Sequence, residues 1–531
     1  MNRSLIQLLF ALLTQSVFAS DMTANEVTRV VVQSISRAQQ IEPHAVIAVV
    51  DREGFVLAVW RVDNHRPRDQ DLPVAVLDAI TKAGTAAFLS SHQNAFTSRT
   101  AGFIVQQHFP PGVRNRPNGP LVGVNFSNLA FTDVNRFKNP QIGYVADFSS
   151  GINGDPIAEF PFEALSGLAG SPGGVPLYRA GKLIGGVGVA GQTRATKANP
   201  FSILADIQTQ SQQRYDPDED VALAGQIGFQ PRAKIFGSNV SIDGIRVPYV
   251  KGSTRLGSVH PLGSVGSTVP PYSIVNSPVV SYPTDLFGGQ ACEIRAPIIA
   301  DSESGNINGQ PRLSADEVAT ILSQASARAK ITRAGIRLPR GQQAQTFITV
   351  VNNPALKGAA PVILGTIRTP DATLFSWDVA AQKARTAVFF SNDTRAFSSR
   401  TVGFLAQQFY PPGIANTAPG PFYRLQEQYS LLPAKVVNPL NGVRLTQTNS
   451  LKDPNPYLPN GITIFPGGFP LYRNGVMIGA IGVSGDGIDQ DDIIAAAGTV
   501  GFDAPAAIRA DRQQYQGARL PYAKFPRNPD L

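Results

Sequence analysis

Phe-Thr-Ser-Arg-Thr at residues 96–100, with Gly102, Phe103, Gln106, Gln107, Pro110, Pro111 and Gly112 behind it, returns as Phe-Ser-Ser-Arg-Thr at 397–401, with Gly403, Phe404, Gln407, Gln408, Pro411, Pro412 and Gly413. The chain carries one plan twice. Residue types kept in both copies answer to shared architecture, and those found once are candidates for a specialised site. The match runs on: Ser-Pro-Gly-Gly-Val-Pro-Leu-Tyr-Arg at 171–179 reappears as Phe-Pro-Gly-Gly-Phe-Pro-Leu-Tyr-Arg at 465–473, each followed by an apolar run punctuated by glycine, Gly185 to Gly191 and Gly479 to Gly485. Asp-Pro-Asp-Glu at 216–219 corresponds to Asp-Gln-Asp-Asp at 489–492, and Gly244, Arg246, Pro248, Tyr249 and Lys251 match Gly517, Arg519, Pro521, Tyr522 and Lys524. Copies of this size are whole domains, well beyond the roughly 20–50 residues of a solenoid repeat.

At 531 residues, 43% hydrophobic and 16% charged, the chain can bury two cores and lacks the composition of a disordered polymer. Arg3, the apolar stretch Leu5 to Leu13, and Val17 and Ala19 at the small-residue spacing of a cleavage site read as a signal peptide over 1–20, and no later run is long enough to span a membrane. A periplasmic or secreted protein is expected. The single cysteine, Cys292, cannot form an internal disulfide. The net charge of +8, from 46 basic and 38 acidic residues, is spread along the chain and argues against nucleic acid as a partner.

Each copy opens with a capping box, Thr23 to Glu26 and Ser314 to Glu317, followed by a helical apolar stripe: Val27, Val30, Val31, Ile35, and Val318, Ile321, Leu322, Ala325. β-branched runs at 45–51 and 347–352 predict strands, with 54–61 as the return strand of the first. Val74 to Ser90 and Phe375 to Ser391 predict helices with a small-residue face, Ala79, Ala83, Ala86 and Ala87 against Ala380, Ala384 and Ala387, and Lys82 and Lys383 occupy equivalent places on them. Residues 470–483 read as a hairpin turning at Asn474 and Gly475. A last helix is predicted from Asp216, with Pro217 at its first position, and from Asp489. The domains are thus 21–255 and 311–531, joined by a Pro/Gly/Ser-rich linker at 256–310, with a polar insertion near 193–213 in the first.

Val49, Val50 and Asp51 with Gly54, Arg61 with Asp63, Lys-Ala-Gly-Thr-Ala at 82–86, the Pro-Gly-Gly-Val-Pro-Leu-Tyr block and the Asp-Pro-Asp-Glu helix start resemble the GlcG/HbpS family of haem-binding and haem-degrading proteins. The second copy is closer in its late part, from Phe465 to Gly485. The resemblance implies an α+β fold: two tandem GlcG/HbpS-like domains, each an antiparallel β-sheet flanked by helices, able to assemble into oligomers. The duplication itself suggests that the two pack as an internal pseudo-dimer, one chain supplying both halves of a two-fold interface. It also implies haem, or another tetrapyrrole or anionic small molecule, as the ligand. Two departures stand out: the aspartate after the first strand is Asp51 in the first copy but Asn352 in the second, and neither opening helix carries a histidine.

All five histidines, His44, His65, His92, His108 and His260, lie outside the second copy, so a duplicated histidine-based catalytic site is excluded. His44, where the first helix meets the first strand, and His92, beside Ser91, are candidate iron ligands through a neutral imidazole, and both also read as ordinary loop histidines. Tyr178 and Tyr472 could stack on or ligate a porphyrin, or be half-buried strand tyrosines. Arg99 and Arg400 could hold a carboxylate such as a propionate in a bidentate fork, or tie down the Pro-Pro turn after them. Lys82 and Lys383 read as solvated helix residues that could meet an anion. The acidic clusters at 216–219 and 489–492 lack the ligand spacing of a calcium loop and read as helix caps, and the glycine runs fit close packing rather than a dinucleotide fingerprint. Three functions remain open: an exported haem- or tetrapyrrole-binding protein, with haem degradation as its enzymatic form; an extracytoplasmic enzyme acting on a small carboxylated or carbonyl compound with Arg99 or Arg400 as anion clamp; and an oligomeric scaffold with no ligand.

Overall fold

The computed structural model describes residues 22–62, 72–106, 109–111, 113, 119–122, 124, 168–191, 215–339, 341–356, 359–423, 425 and 461–524. The signal segment, the insertion at 193–213, His65 and His108 lie outside the described residues.

In the first copy, helix α1 (Ala24–Ile41) precedes strands β1 (Val46–Asp51) and β2 (Val56–Arg61), helices α2 (Leu72–Leu89) and α3 (Ser98–Ile104), strands β3 (Gly174–Arg179) and β4 (Lys182–Ala190), and helix α4 (Pro217–Gly225). A small ribbon, β5 (Ser241–Ile242) with β6 (Ile245–Arg246), closes it. The connecting segment supplies β7 (Ser267–Thr268), β8 (Thr284–Phe287) and β9 (Gln290–Ala296). The second copy repeats the order: α5 (Ala315–Ile331), β10 (Thr346–Asn352), β11 (Ile363–Arg368), α6 (Ser376–Phe390), α7 (Ser399–Leu405), β12 (Gly468–Arg473), β13 (Val476–Gly485), α8 (Ile488–Gly498) and the ribbon β14 (Gln514–Tyr515) with β15 (Ala518–Arg519).

Both sheets are antiparallel, in the order β3-β4-β1-β2-β7 and β12-β13-β10-β11-β9-β8. Even their irregularities are duplicated. The register slips at Val49/Val50 and again at Val350/Val351, and at Leu177/Tyr178 and again at Leu471/Tyr472. Such bulges bend a strand at a fixed place, so their recurrence marks one ancestral sheet.

The elements form where the local chemistry asks for them. Thr23 and Glu26 complete their capping box, as do Ser314 and Glu317, and the stripes behind both caps are buried. Asn474 and Gly475 turn the late hairpin with φ of 50° and 84°. Strand β1 shows why its run is apolar throughout: Val46, Ala48 and Val50 face the core beneath α2, while Ile47 and Val49 face the core under α1 and α4. Helix α2 can lie directly on β4 because Gly186 and Gly188 have no side chains; a Cβ there would stand 2.3 Å from Ala83 O and 2.1 Å from Ala79 O. Gly482 does the same for α6, its Cβ position falling 2.0 Å from Ala380 O.

The core beneath α2 is continuous with that of the second copy, joining Ala79 and Ala83 to Ala380, Ala384 and Val350. At the seam Phe375 N donates to Phe88 O at 3.3 Å. The stretch read as a linker is built into both sheets, β7 pairing with β2 and β9 with β11, and on the way it runs over the first copy, where Ser277 N donates to Met22 O and Val275 N to Leu57 O.

Two sequence readings are corrected. Asp489 does not cap α8, whose N-cap is Gly487, although Asp216 caps α4 through the amides of Asp218 and Glu219 as expected. Lys82 and Lys383 are not solvated; both are buried. Among the described residues no helix is long and apolar enough to cross a membrane.

Candidate functional site

The duplicated polar blocks, scattered in sequence, converge at one place in each copy. Lys82, halfway along α2, sends its ammonium into the interior, where it donates to Asp218 Oδ2 at 2.9 Å and Val189 O at 2.9 Å and pairs with Asp78 Oδ2 at 2.8 Å. Next to it Arg99, on the first turn of α3, makes a bidentate pair with Glu219, Nε to Oε1 at 2.7 Å and Nη2 to Oε2 at 3.0 Å. The neighbouring hydroxyls fasten backbone. Ser98 Oγ accepts from Gly174 N, Thr97 and Thr100 donate to the carbonyls of Tyr249 and Pro248, and Lys251 N donates to Glu219. The Pro-Gly-Gly turn presses on this assembly, since a Cβ on Gly173 would lie 2.8 Å from Asp218 Cβ.

The second copy repeats the plan with one change. Lys383 donates to Asp491 Oδ2 and Val483 O, both at 2.8 Å; Ser399 accepts from Gly468 N; Ser398 and Thr401 donate to Tyr522 O and Pro521 O; Lys524 N donates to Asp492. Arg400 instead divides its donors, Nε to Asp492 Oδ2 at 2.8 Å and Nη2 to Asp489 Oδ1 at 2.7 Å. Burial pushes the Asp491 carboxyl up to about 6 against the pull of Lys383, and burial also lowers Lys383. Asp491 Oδ1 is buried without a hydrogen-bond partner among the described residues. Arg400 is raised, because Asp492 and Asp489 outweigh its burial.

A second polar cluster lies at the seam. Asp371 accepts from Arg52 Nη2 at 2.9 Å, Arg337 Nη1 at 2.5 Å and His92 N at 3.0 Å, and Arg337 continues to Asp486. Glu53, from the β1–β2 turn, takes Arg295 at 2.7 and 3.0 Å and Arg368 at 3.4 Å.

These placements decide what the predicted site residues can do. Arg99 is wholly buried and committed to Glu219, so it is not an anion clamp; Arg400 keeps an exposed edge. Tyr178 and Tyr472 are buried, and their hydroxyls donate to the carbonyls of Ser91 and Asn94, and of Asn392 and Arg395, which is a structural task. His92 has the same character. Its Nδ1 accepts from Leu183 N at 3.1 Å, and the equivalent second-copy residue, Asp393, accepts from Met477 N at 2.8 Å. Nε2 lies 3.3 Å from Arg52 Nη1, so both ring nitrogens already face protein donors and neither is open to iron. Burial and the Arg52 charge lower His92 to about 4, keeping it neutral. His44 is half-buried at the junction of α1 and β1. Among the described residues no group of three or more His, Cys, Asp or Glu could hold a metal ion.

Sequence reading missed the buried Lys–Asp pairs, although Lys82 lies inside the stripe Ala79, Ala83, Ala86 that it assigned to packing. It also missed the seam, whose partners carry no common motif.

Comparison with known proteins fits the duplicated architecture. The PduOC:heme complex, a solved structure, is 22% identical and covers 37% of this chain and 98% of its own, with a TM-score of 0.24. Klebsiella pneumoniae protein ORFY, solved under the family label DUF336, is 20% identical and covers 38% of this chain and 99% of its own, with a TM-score of 0.23. No curated protein matches the chain. The model of the family described as haem degrading protein HbpS-like matches twice, over residues 22–198 and 322–499, and the chain belongs to that family.

Proposed function

We propose that the chain is an exported protein that binds haem or a related tetrapyrrole, with both domains contributing to one two-lobed body. The observation that carries this reading is the family match over both copies, under a description that names haem. Export rests on the N-terminal run Leu5 to Leu13 and the small-residue spacing of Val17 and Ala19. Among the sequence candidates we assign His44, half-buried at the junction of α1 and β1, as the iron ligand.

Haem titration of the purified protein should give a saturable Soret shift at micromolar protein. His44→Ala should weaken that shift, and His92→Ala should leave it near the native value. An unchanged free-haem spectrum refutes the haem reading, and a shift abolished by His92→Ala but untouched by His44→Ala refutes the ligand assignment. Loss of the Soret band on adding a reductant would extend the activity to haem degradation. Recovery of a chain shortened by about 20 residues from the extracytoplasmic fraction tests export.

A further inference from the structure

One methylene separates the polar clusters of the two copies. In the first, Glu219 is long enough to take both Nε and Nη2 of Arg99, whose side chain is 0% exposed, and Asp216 stays on the helix as its cap. In the second, the shorter Asp492 takes only Nε of Arg400. The Nη2 group turns to Asp489, which leaves the helix cap to Gly487 and places its carboxylate between Arg400 and Lys524, Oδ1 to the guanidinium at 2.7 Å and Oδ2 to the Lys524 ammonium. All three side chains reach the surface: Arg400 is 19% exposed, Lys524 28% and Asp489 37%. Among the described residues the first copy shows no counterpart to this arrangement: Asp216 is buried and caps α4.

We propose that the second copy carries a binding site for the carboxylate of a small-molecule ligand, formed by Arg400 and Lys524, with Asp489 as the intramolecular occupant that the ligand displaces. The group held there now is itself a carboxylate, so the spacing of the two cations already suits that planar, two-oxygen anion. Its carrier is cheap to move. Asp489 is the most exposed member of the trio, and ion pairs this open to solvent contribute little to the stability of a fold. Arg400 stays in position when Asp489 departs, because Nε remains bonded to the fully buried Asp492, and Lys524 is anchored by its amide to the same carboxylate. The inference is independent of the haem reading.

The test uses propionate as the probe, at constant ionic strength held with chloride, on the full-length protein. Asp489→Ala removes that occupant, so propionate should bind about fivefold more tightly than to the native chain, the factor expected if Asp489 occupies the two cations about four-fifths of the time. Asp489→Asn, nearly isosteric, should give the same gain and guards against a folding defect. Adding Arg400→Gln to either variant should abolish binding, and Asp216→Ala in the first copy should gain nothing. Equal affinity in native and Asp489→Ala protein, an equal gain in Asp216→Ala, or tighter binding of inorganic phosphate than of propionate overturns the assignment.

Discussion

Neutralising Glu53 should loosen the joint between the copies. This residue, on the β1–β2 turn of the first copy, takes Arg295 through both carboxylate oxygens at 2.7 and 3.0 Å and Arg368 at 3.4 Å, and among the described residues the only other acid paired with those two arginines is Glu293. Arg295 and Arg368 are 1% and 2% exposed, and burial lowers Arg368 to about 10 despite Glu293. Burial alone would raise the Glu53 carboxyl, but Arg295, Arg368 and Arg52 outweigh it and hold it well below the ordinary range. Glu53→Gln therefore leaves two buried guanidinium groups sharing one carboxylate. Breaking a buried pair costs about 3–5 kcal/mol, and the lower end applies because Glu293 remains and Glu53 keeps 17% exposure. The assay is urea unfolding followed by tryptophan fluorescence, since Trp60 reports the first copy and Trp377, with Arg295 5.3 Å from its ring, the second. A loss of about 3 kcal/mol is expected in both probes, against under about 1 kcal/mol for Glu26→Gln, which breaks the surface pair with Arg179. A Glu53→Gln loss no larger than that of Glu26→Gln would refute the reasoning.

Acid should weaken the same seam in a predictable window. His92 titrates near 4 when folded and near its ordinary 6.5 when unfolded, so the unfolded chain binds more protons between those values and stability falls as pH drops from 6.5 through 4. Burial would raise Asp371, but Arg337 and Arg52 bring it to about 2 from 3.8; its contribution is complete above 3.8 and is lost as pH falls through 2. Asp491, raised to about 6, acts with the opposite sign and gains stability as pH falls from 6 to 3.8, so Asp491→Asn should steepen the acid loss seen in urea midpoints between pH 7 and 4.5. An unchanged slope would contradict its shift. Separately, Gly467 has φ of +114°, and a Cβ there would stand 2.7 Å from Val483 O and 3.1 Å from Lys383 Nζ, so Gly467→Ala should cost about 1–3 kcal/mol, read as a lowered melting temperature.

What the sequence disclosed follows from the range over which each interaction acts. Capping boxes, the Asn474–Gly475 turn and the apolar stripes are settled by residues three or four apart, and they form as read. The α+β class follows from them together with the repeat, because a helix–hairpin–helix–hairpin–helix order leaves little besides an antiparallel sheet with helices on it. Asp489 escaped because its role depends on the length of the side chain three places on: Glu219 leaves Asp216 as a cap, whereas Asp492 draws Asp489 away. The seam escaped for a different reason. Glu53 and Arg295 lie 242 residues apart, and nothing in either neighbourhood names the other.

Lys82 shows that a legible signal can be assigned the wrong cause. It sits at the three-and-four spacing with Ala79, Ala83 and Ala86, on the face whose small residues let α2 settle onto β4. A solvated lysine there would require that face to point outward, and then the alanine pattern and the opposing glycines, Gly186 and Gly188, would have no task. The two requirements conflict unless the ammonium is buried with a counter-ion. In each copy the duplicated acidic block at 216–219 and 489–492 supplies a carboxylate to that ammonium, and Asp78, one turn earlier on α2, is a second partner for Lys82. Helix capping by itself accounts for one of those acids, Asp216, and in the second copy for none. The remaining acids answer the buried lysine and the arginine beside it, which is why cations and acids were kept together through the duplication.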